Sequence, residues 1–220
     1  MKKLGLRSIA VAVVVIIFCF NVSFAHPLLS DDASTVAPEK FDFEISYDQL
    51  KADQSPSISY SEITLIQGIN KRTDIYILLP YTISPTPVTA IGTARLGMKF
   101  GLAKDLFAVT IDNELGSKVY FLNTVLSIRG KKASMHLNLG YNSFCTPGIS
   151  DTTNYSVALE LPKKNNSYMA EIIGLDGEPA KFWVLGLLHN FGSHFSGSLA
   201  YGKSFKDSSD RISAATHFYF

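Results

Sequence analysis

The chain has 220 residues, with 20 Lys or Arg against 19 Asp or Glu and a formal net charge of +1. That balance, with a pI of about 7.7, excludes a global field of the kind that recruits nucleic acid or acidic partners. Mean hydropathy is +0.15 although 18% of residues are charged, yet no stretch beyond residue 25 approaches the ~20 apolar residues of a spanning helix. The longest apolar run there is Phe182 to Leu188, interrupted by Gly186. A hydrophobic chain without a spanning helix has one other way to satisfy every backbone group in lipid, a closed β-barrel.

Lys2, Lys3 and Arg7 precede the apolar run Ile9 to Phe20, and Ser23-Phe24-Ala25 offers the residues a signal peptidase reads. Residues 1–25 are therefore expected to be a cleaved signal peptide. Cys19 follows Phe18 rather than the small residue a lipobox needs, so lipidation is not expected. Cys145 is then the one cysteine left, in a Gly/Pro/Ser/Thr loop without the spacing of a disulfide or zinc site. Residues 26–40 carry Pro27, Asp31, Asp32 and Pro38 without periodicity and read as a flexible lead-in, lying in the periplasm or partly plugging a lumen.

From Phe41 the chain alternates with period 2, as half-buried strands do. Phe41, Phe43, Ile45 and Tyr47 oppose Asp42, Glu44, Ser46 and Asp48. Ser57–Ile69 sets Ile63 and Leu65 against Glu62 and Thr64, and Asp74–Ile83 sets Ile75, Ile77, Leu79 and Tyr81 against Tyr76, Leu78, Pro80 and Thr82. Pro80 marks a rim or bulge, because proline is excluded from the middle of a ladder. In Ile91–Leu102, Arg95 and Lys99 share the face opposite Leu96, Met98 and Phe100. Each such charge would cost about 2–4 kcal/mol against lipid, so this face must meet a polar interior. Asp105–Glu114, Lys118–Arg129, Ala133–Asn142, Tyr155–Leu161, Ser167–Ile173, Lys181–His189, His194–Gly202 and Arg211–Phe220 continue the series. In Lys181–His189 both faces are apolar, and the sequence does not choose between them.

The census gives about twelve strands, an even number as single-chain bacterial barrels require. Links near residues 51, 84, 114, 143, 174 and 203 are the longer ones, and those near 70, 103, 131, 164 and 191 are short. Outer-membrane barrels alternate in this way because their periplasmic turns are tight and their extracellular loops free to grow. The fold class expected is all-β, an antiparallel transmembrane up-and-down barrel over residues 41–220. A soluble β-sandwich is the alternative, and it would leave the aromatic last strand as an unprotected edge.

Ile69-Asn70-Lys71-Arg72-Thr73-Asp74-Ile75-Tyr76-Ile77-Leu78-Leu79-Pro80-Tyr81 and Arg95-Leu96-Gly97-Met98-Lys99-Phe100 resemble motifs of the outer-membrane barrels grouped under the meta-pathway of phenol degradation. The resemblance implies a barrel that passes small, apolar or aromatic molecules. The last strand likewise resembles that of outer-membrane barrels, whose terminal aromatic is read by the barrel-assembly machinery, which makes Phe218 and Phe220 the candidate assembly signal. Partners expected are that machinery, outer-membrane lipid and a small-molecule solute.

The candidate lumen-lining residues are Glu44, Glu62, Arg95, Lys99, Asp112, Arg129, His136, Glu160 and Glu171. Buried charges need partners, so Arg95, Lys99 and Arg129 are expected to reach Asp112 and Glu114 on the strand between them. Many other inward positions are Ser, Gly or Ala, which favours a narrow pore. His194-Phe195-Ser196 resembles the dyad of lipid A deacylase barrels, and a hydrolase is the first alternative. A non-conducting structural or adhesive barrel is the second. His189 and His194 flank a turn without a third ligand, so neither metal nor another cofactor is expected.

Overall fold

A computed structural model describes residues 31–51, 56–85, 90–175 and 178–220. The predicted signal segment and residues 26–30 of the lead-in lie outside the described residues. Twelve strands follow in chain order: β1 (Phe41–Lys51), β2 (Ile58–Asn70), β3 (Thr73–Ser84), β4 (Arg95–Ala103), β5 (Phe107–Glu114) and β6 (Tyr120–Arg129), then β7 (Ser134–Ser143), β8 (Thr152–Lys163), β9 (Asn166–Leu175), β10 (Glu178–Asn190), β11 (Phe195–Ser204) and β12 (Asp210–Tyr219). Each pairs antiparallel with its sequence neighbour, and β1 pairs with β12 to close the barrel. The closing ladder runs from Asp42 opposite Tyr219 to Lys51 opposite Asp210. Reciprocal backbone bonds between Phe41 and Phe220, at 2.8 and 3.1 Å, carry it one residue further. The long aromatic terminal strand is thus paired on both sides, which removes the edge it would otherwise expose.

Most strand limits differ from the sequence reading by one to three residues, and two differences change the layout. The fourth strand, expected from Ile91, starts at Arg95. The β3–β4 ladder stops at Leu78 opposite Arg95, and beyond it Ile91 makes only an isolated bridge to Tyr81. Pro80 explains the break: its carbonyl faces this side and accepts from Gly92 N at 2.9 Å, so the N–H that proline lacks is missing from the same side. The link near residue 174, expected to be a long loop, is short instead. β9 continues to Leu175 and β10 begins at Glu178, with a register shift between Glu178 and Phe182.

The period-2 pattern settles which residues face out. Ile45, Ile63, Ile77, Leu96, Ile111, Leu139, Val157, Leu185 and Leu199 are exposed on the outer wall. Aromatic rings gather at both ends of this apolar band. At the short-turn end Phe41 stacks on Phe220 with centroids 5.7 Å apart, and Phe195 packs between Phe191 and Phe218. At the other end lie Tyr81, Tyr120, Tyr141, Tyr155 and Tyr201, the last against Trp183 at 5.9 Å. Two aromatic girdles flanking an apolar band match the two interfaces of a bilayer.

The inside divides into two parts. Across β8–β11 the inward rows include Ala158, Met169, Ile173, Phe182, Val184 and Ala200, packed as one apolar cluster with Leu50 and Leu188 against it, beside buried Asn154, Ser156, Ser167, Glu171 and Ser196. This resolves the ambiguous strand β10: Phe182 and Val184 point in, while Leu185 and Leu187 point out. Across β1–β7 the inward row is polar and charged, including Asp42, Glu44, Glu62, Asp74, Arg95, Asp112, Asn123, His136 and Asn138.

Candidate functional site

The charged part of the interior holds a cavity of about 580 Å³, lined by β1–β7 and Asn154 of β8, by residues 31, 32 and 34–37 of the lead-in, by Ser193 and His194, and by His217 and Tyr219 of β12. Its central contact is Arg95. The guanidinium donates through Nε and Nη2 to the two oxygens of Asp112, both at 2.7 Å. Its carbon sits 3.8 Å from the centroid of the Phe121 ring. Tyr76 donates to Asp112 Oδ2 at 2.6 Å. Tyr76, Gly97 and Asp112 face one another on β3, β4 and β5, so the tyrosine must pass over position 97. A Cβ there would lie 2.2 Å from Tyr76 Cζ; only glycine leaves the path open. The result is a fixed projection into the lumen, a bidentate ion pair braced by a phenol and backed by an aromatic face.

The lead-in enters the lumen from the short-turn end and is held by side chains of the barrel. Lys99 Nζ donates to Asp31 at 2.9 Å. Asn138 accepts from Asp31 N and donates to Asp31 O, at 3.1 and 3.0 Å. Ser127 Oγ accepts from Ala33 N at 2.8 Å, and Ala33 is buried against Ala108 and Val125. Both oxygens of Asp74 accept from Val36 N at 3.1 Å, and Arg129 reaches Ser34 and Asp32 at 2.7 and 3.1 Å. Gly68 lets the backbone of Val36 and Ala37 lie directly on β2, since a Cβ there would sit 2.2 Å from Ala37 O. Of the two placements open to the lead-in, residues 31–37 take the luminal one.

The candidate lining residues can now be placed. Glu44, Glu62, Arg95, Asp112, His136 and Glu171 are buried inside the barrel; Lys99 and Glu160 are half-buried, and Arg129 is at the short-turn rim. The expected pairing is corrected in two of its three parts. Arg95 meets Asp112, but Lys99 and Arg129 meet Asp31 and Asp32. Glu114 lies opposite Arg95 at the strand end and accepts instead from Ser117 at 3.3 Å, because it belongs to the β5–β6 turn. Glu160 faces His136 Nε2 at 3.5 Å, while His136 Nδ1 contacts Ser127 Oγ at 2.8 Å. Glu171 is in the packed part of the interior, opposite Ala158 and Val184. Phe218 and Phe220 face outward in the aromatic girdle.

Several charged inward positions are not among the candidate lining residues. Asp48 binds Arg211, through Nη2 at 2.7 Å and through Nε, and accepts from Ser213 at 2.7 Å. Asp42 and Glu44 face His217 Nδ1 at 3.3 and 3.7 Å. Alternation already put Asp42, Asp48, Asp74, Arg211 and His217 on inward rows, so that signal was present. Alternation puts Tyr76 and Phe121 on inward rows as well, but nothing local marks their rings as the partners of Asp112 and Arg95.

The hydrolase dyad does not assemble. His194 precedes β11 and contacts Tyr219 O through Nδ1 at 2.9 Å. Ser196 is fully buried with its Oγ 3.4 Å from Tyr219 Oη, and among the described residues no hydrogen bond joins it to His194.

No protein-family model and no curated protein matches the chain. Solved structures do. The KdgM porin superposes with a TM-score of 0.57 at 8% identity, covering 80% of this chain and 99% of the porin. An outer membrane channel from Pseudomonas putida F1 superposes with a TM-score of 0.58 at 11% identity, covering 86% and 98%. At these identities the likeness concerns the fold: this chain has the fold of outer-membrane β-barrels.

Proposed function

We propose that the chain is an outer-membrane β-barrel through which small solutes pass passively. The observation that carries this reading is an apolar, aromatic-girdled outer wall around a cavity whose lining is charged. The outer wall fits lipid on all sides. The inner one suits a hydrated solute, since fixed charges filter what enters. The fold shared with a porin and an outer membrane channel supports the same reading. Carboxylates and amides on the wall favour polar solutes over the apolar or aromatic ones that the motif resemblance implies. The separation of His194 from Ser196 removes the geometry on which hydrolysis would depend.

The test is planar-bilayer recording of purified, refolded protein, with insertion verified by a gel band that shifts on boiling. Discrete conductance steps are expected. Silent bilayers from verified inserted barrels would contradict the proposal and favour a structural role.

A further inference from the structure

The near-neutral charge of the chain conceals a sorting of its ionisable groups by place. Lys104, Lys118, Lys131, Lys132, Lys163 and Lys203 are exposed at the two rims. Among the described residues, Arg95, Lys99 and Arg211 inside the barrel and Arg129 at its rim are each committed to a carboxylate, Asp112, Asp31, Asp48 and Asp32 respectively, while Lys40 stands exposed at the cavity mouth. That leaves Asp42, Glu44, Glu62 and Asp74 on the continuous wall β1–β3 outside ion-pair distance of any Lys or Arg among the described residues, with Lys99 acting on Asp74 and Arg95 and Arg211 on Glu62 from farther off. His217 lies beside Asp42 and Glu44.

These carboxylates are aimed into the barrel, and three of them, Asp42, Glu44 and Asp74, line the cavity. Glu44 is 4% exposed and Glu62 is 2% exposed. Asp42 Oδ1, Glu44 Oε1 and Glu62 Oε1 are buried and accept no hydrogen bond from the protein. A buried carboxylate oxygen left without a donor is unfavourable, so this wall is built to receive donors from what passes it. Low-dielectric walls lined by one sign of charge also concentrate counter-ions. Tyr76 and Tyr219 line the same cavity and offer π faces that attract cations.

We propose that the β1–β3 wall is a cation filter, and that the solutes carried are small organic cations bearing an ammonium or guanidinium group. This rests on the channel reading above and names its substrate class. In a filter of this kind the bound cation donates to the free carboxylate oxygens and passes between neighbouring ones, while the paired bases of the facing wall remain neutralised.

Reversal potentials in a KCl gradient, then with agmatine chloride replacing KCl on one side, test the proposal. Wild type should reverse on the cation side, and agmatine should carry current. The double variant Asp42→Asn, Glu44→Gln should lower the cation-to-anion permeability ratio by on the order of threefold. Should that variant fail to insert, Asp42→Asn alone carries the same comparison with an expected shift in the same direction. A channel that prefers chloride, or a ratio unchanged by these substitutions, would overturn the cation filter and leave the channel standing. Absence of current from verified inserted protein would overturn both.

Discussion

The two parts of the interior are built from the same alternating strands and end up with opposite properties. On β8–β11 the inward row carries a packed apolar cluster, with Ala158 and Val184 almost completely buried, among buried polar residues such as Ser156, Ser167 and Glu171. On β1–β7 the inward row is charged, its members held by ion pairs across neighbouring strands and to the lead-in, and a cavity persists between them. Period 2 decides only which side of the wall a residue occupies. Whether that side becomes a core or a passage is decided by the volume and polarity of the inward row.

This contrast predicts that substitutions in the two parts separate stability from conductance. Phe182→Ala should lower unfolding stability by about 3–5 kcal/mol, the usual cost of a large cavity in a packed core, with single-channel conductance retained. Denaturant titration in lipid vesicles and bilayer recording measure the two quantities. Arg95→Ala should do the reverse in emphasis: ion selectivity or conductance changes while the unheated gel band persists. A conductance change from Phe182→Ala as large as that from Arg95→Ala would break the distinction.

Smaller effects sharpen it. Gly97→Ala should cost about 1–3 kcal/mol, the range for overpacking, because the new methyl occupies the path of Tyr76 to Asp112. Adding Tyr76→Phe should recover little if the clash is with the ring itself. Lys99→Ala removes one tether of the lead-in, the contact with Asp31. Its expected effect on unfolding is about 1–3 kcal/mol, since Asp31 is left without its donor, and its clearest sign is greater conductance with faster protease trimming near residue 31.

Most of the wall was legible in the sequence, because alternation reports facing residue by residue: Glu44 inside, Ile45 outside, Ser46 inside. Strand limits were less so. The late start of β4 depends on which side of β3 Pro80 turns its missing N–H, a property of pairing rather than composition. The charged cluster was read in part. Arg95 and Asp112 are opposed through neighbouring strands, whereas Lys99 and Arg129 find partners 68 and 97 residues away in a segment without periodicity. Nothing local connects those pairs. The β10 facing was hidden for a different reason: with both rows apolar, only the packing of Phe182 and Val184 against Ala158, Met169, Ile173 and Ala200 chooses the inner one.

The division of the interior is tested most directly by the reach of water-soluble thiol reagents during bilayer recording. In a Cys145→Ser background, which removes the exposed native thiol, one variant carries Asn123→Cys on the cavity wall and another Ala158→Cys in the packed cluster. A cationic methanethiosulfonate added to the bath should step down the current of the Asn123→Cys channel and leave the Ala158→Cys channel unaffected. Equal modification of both, or of neither while both conduct, would contradict an interior divided into a passage and a core.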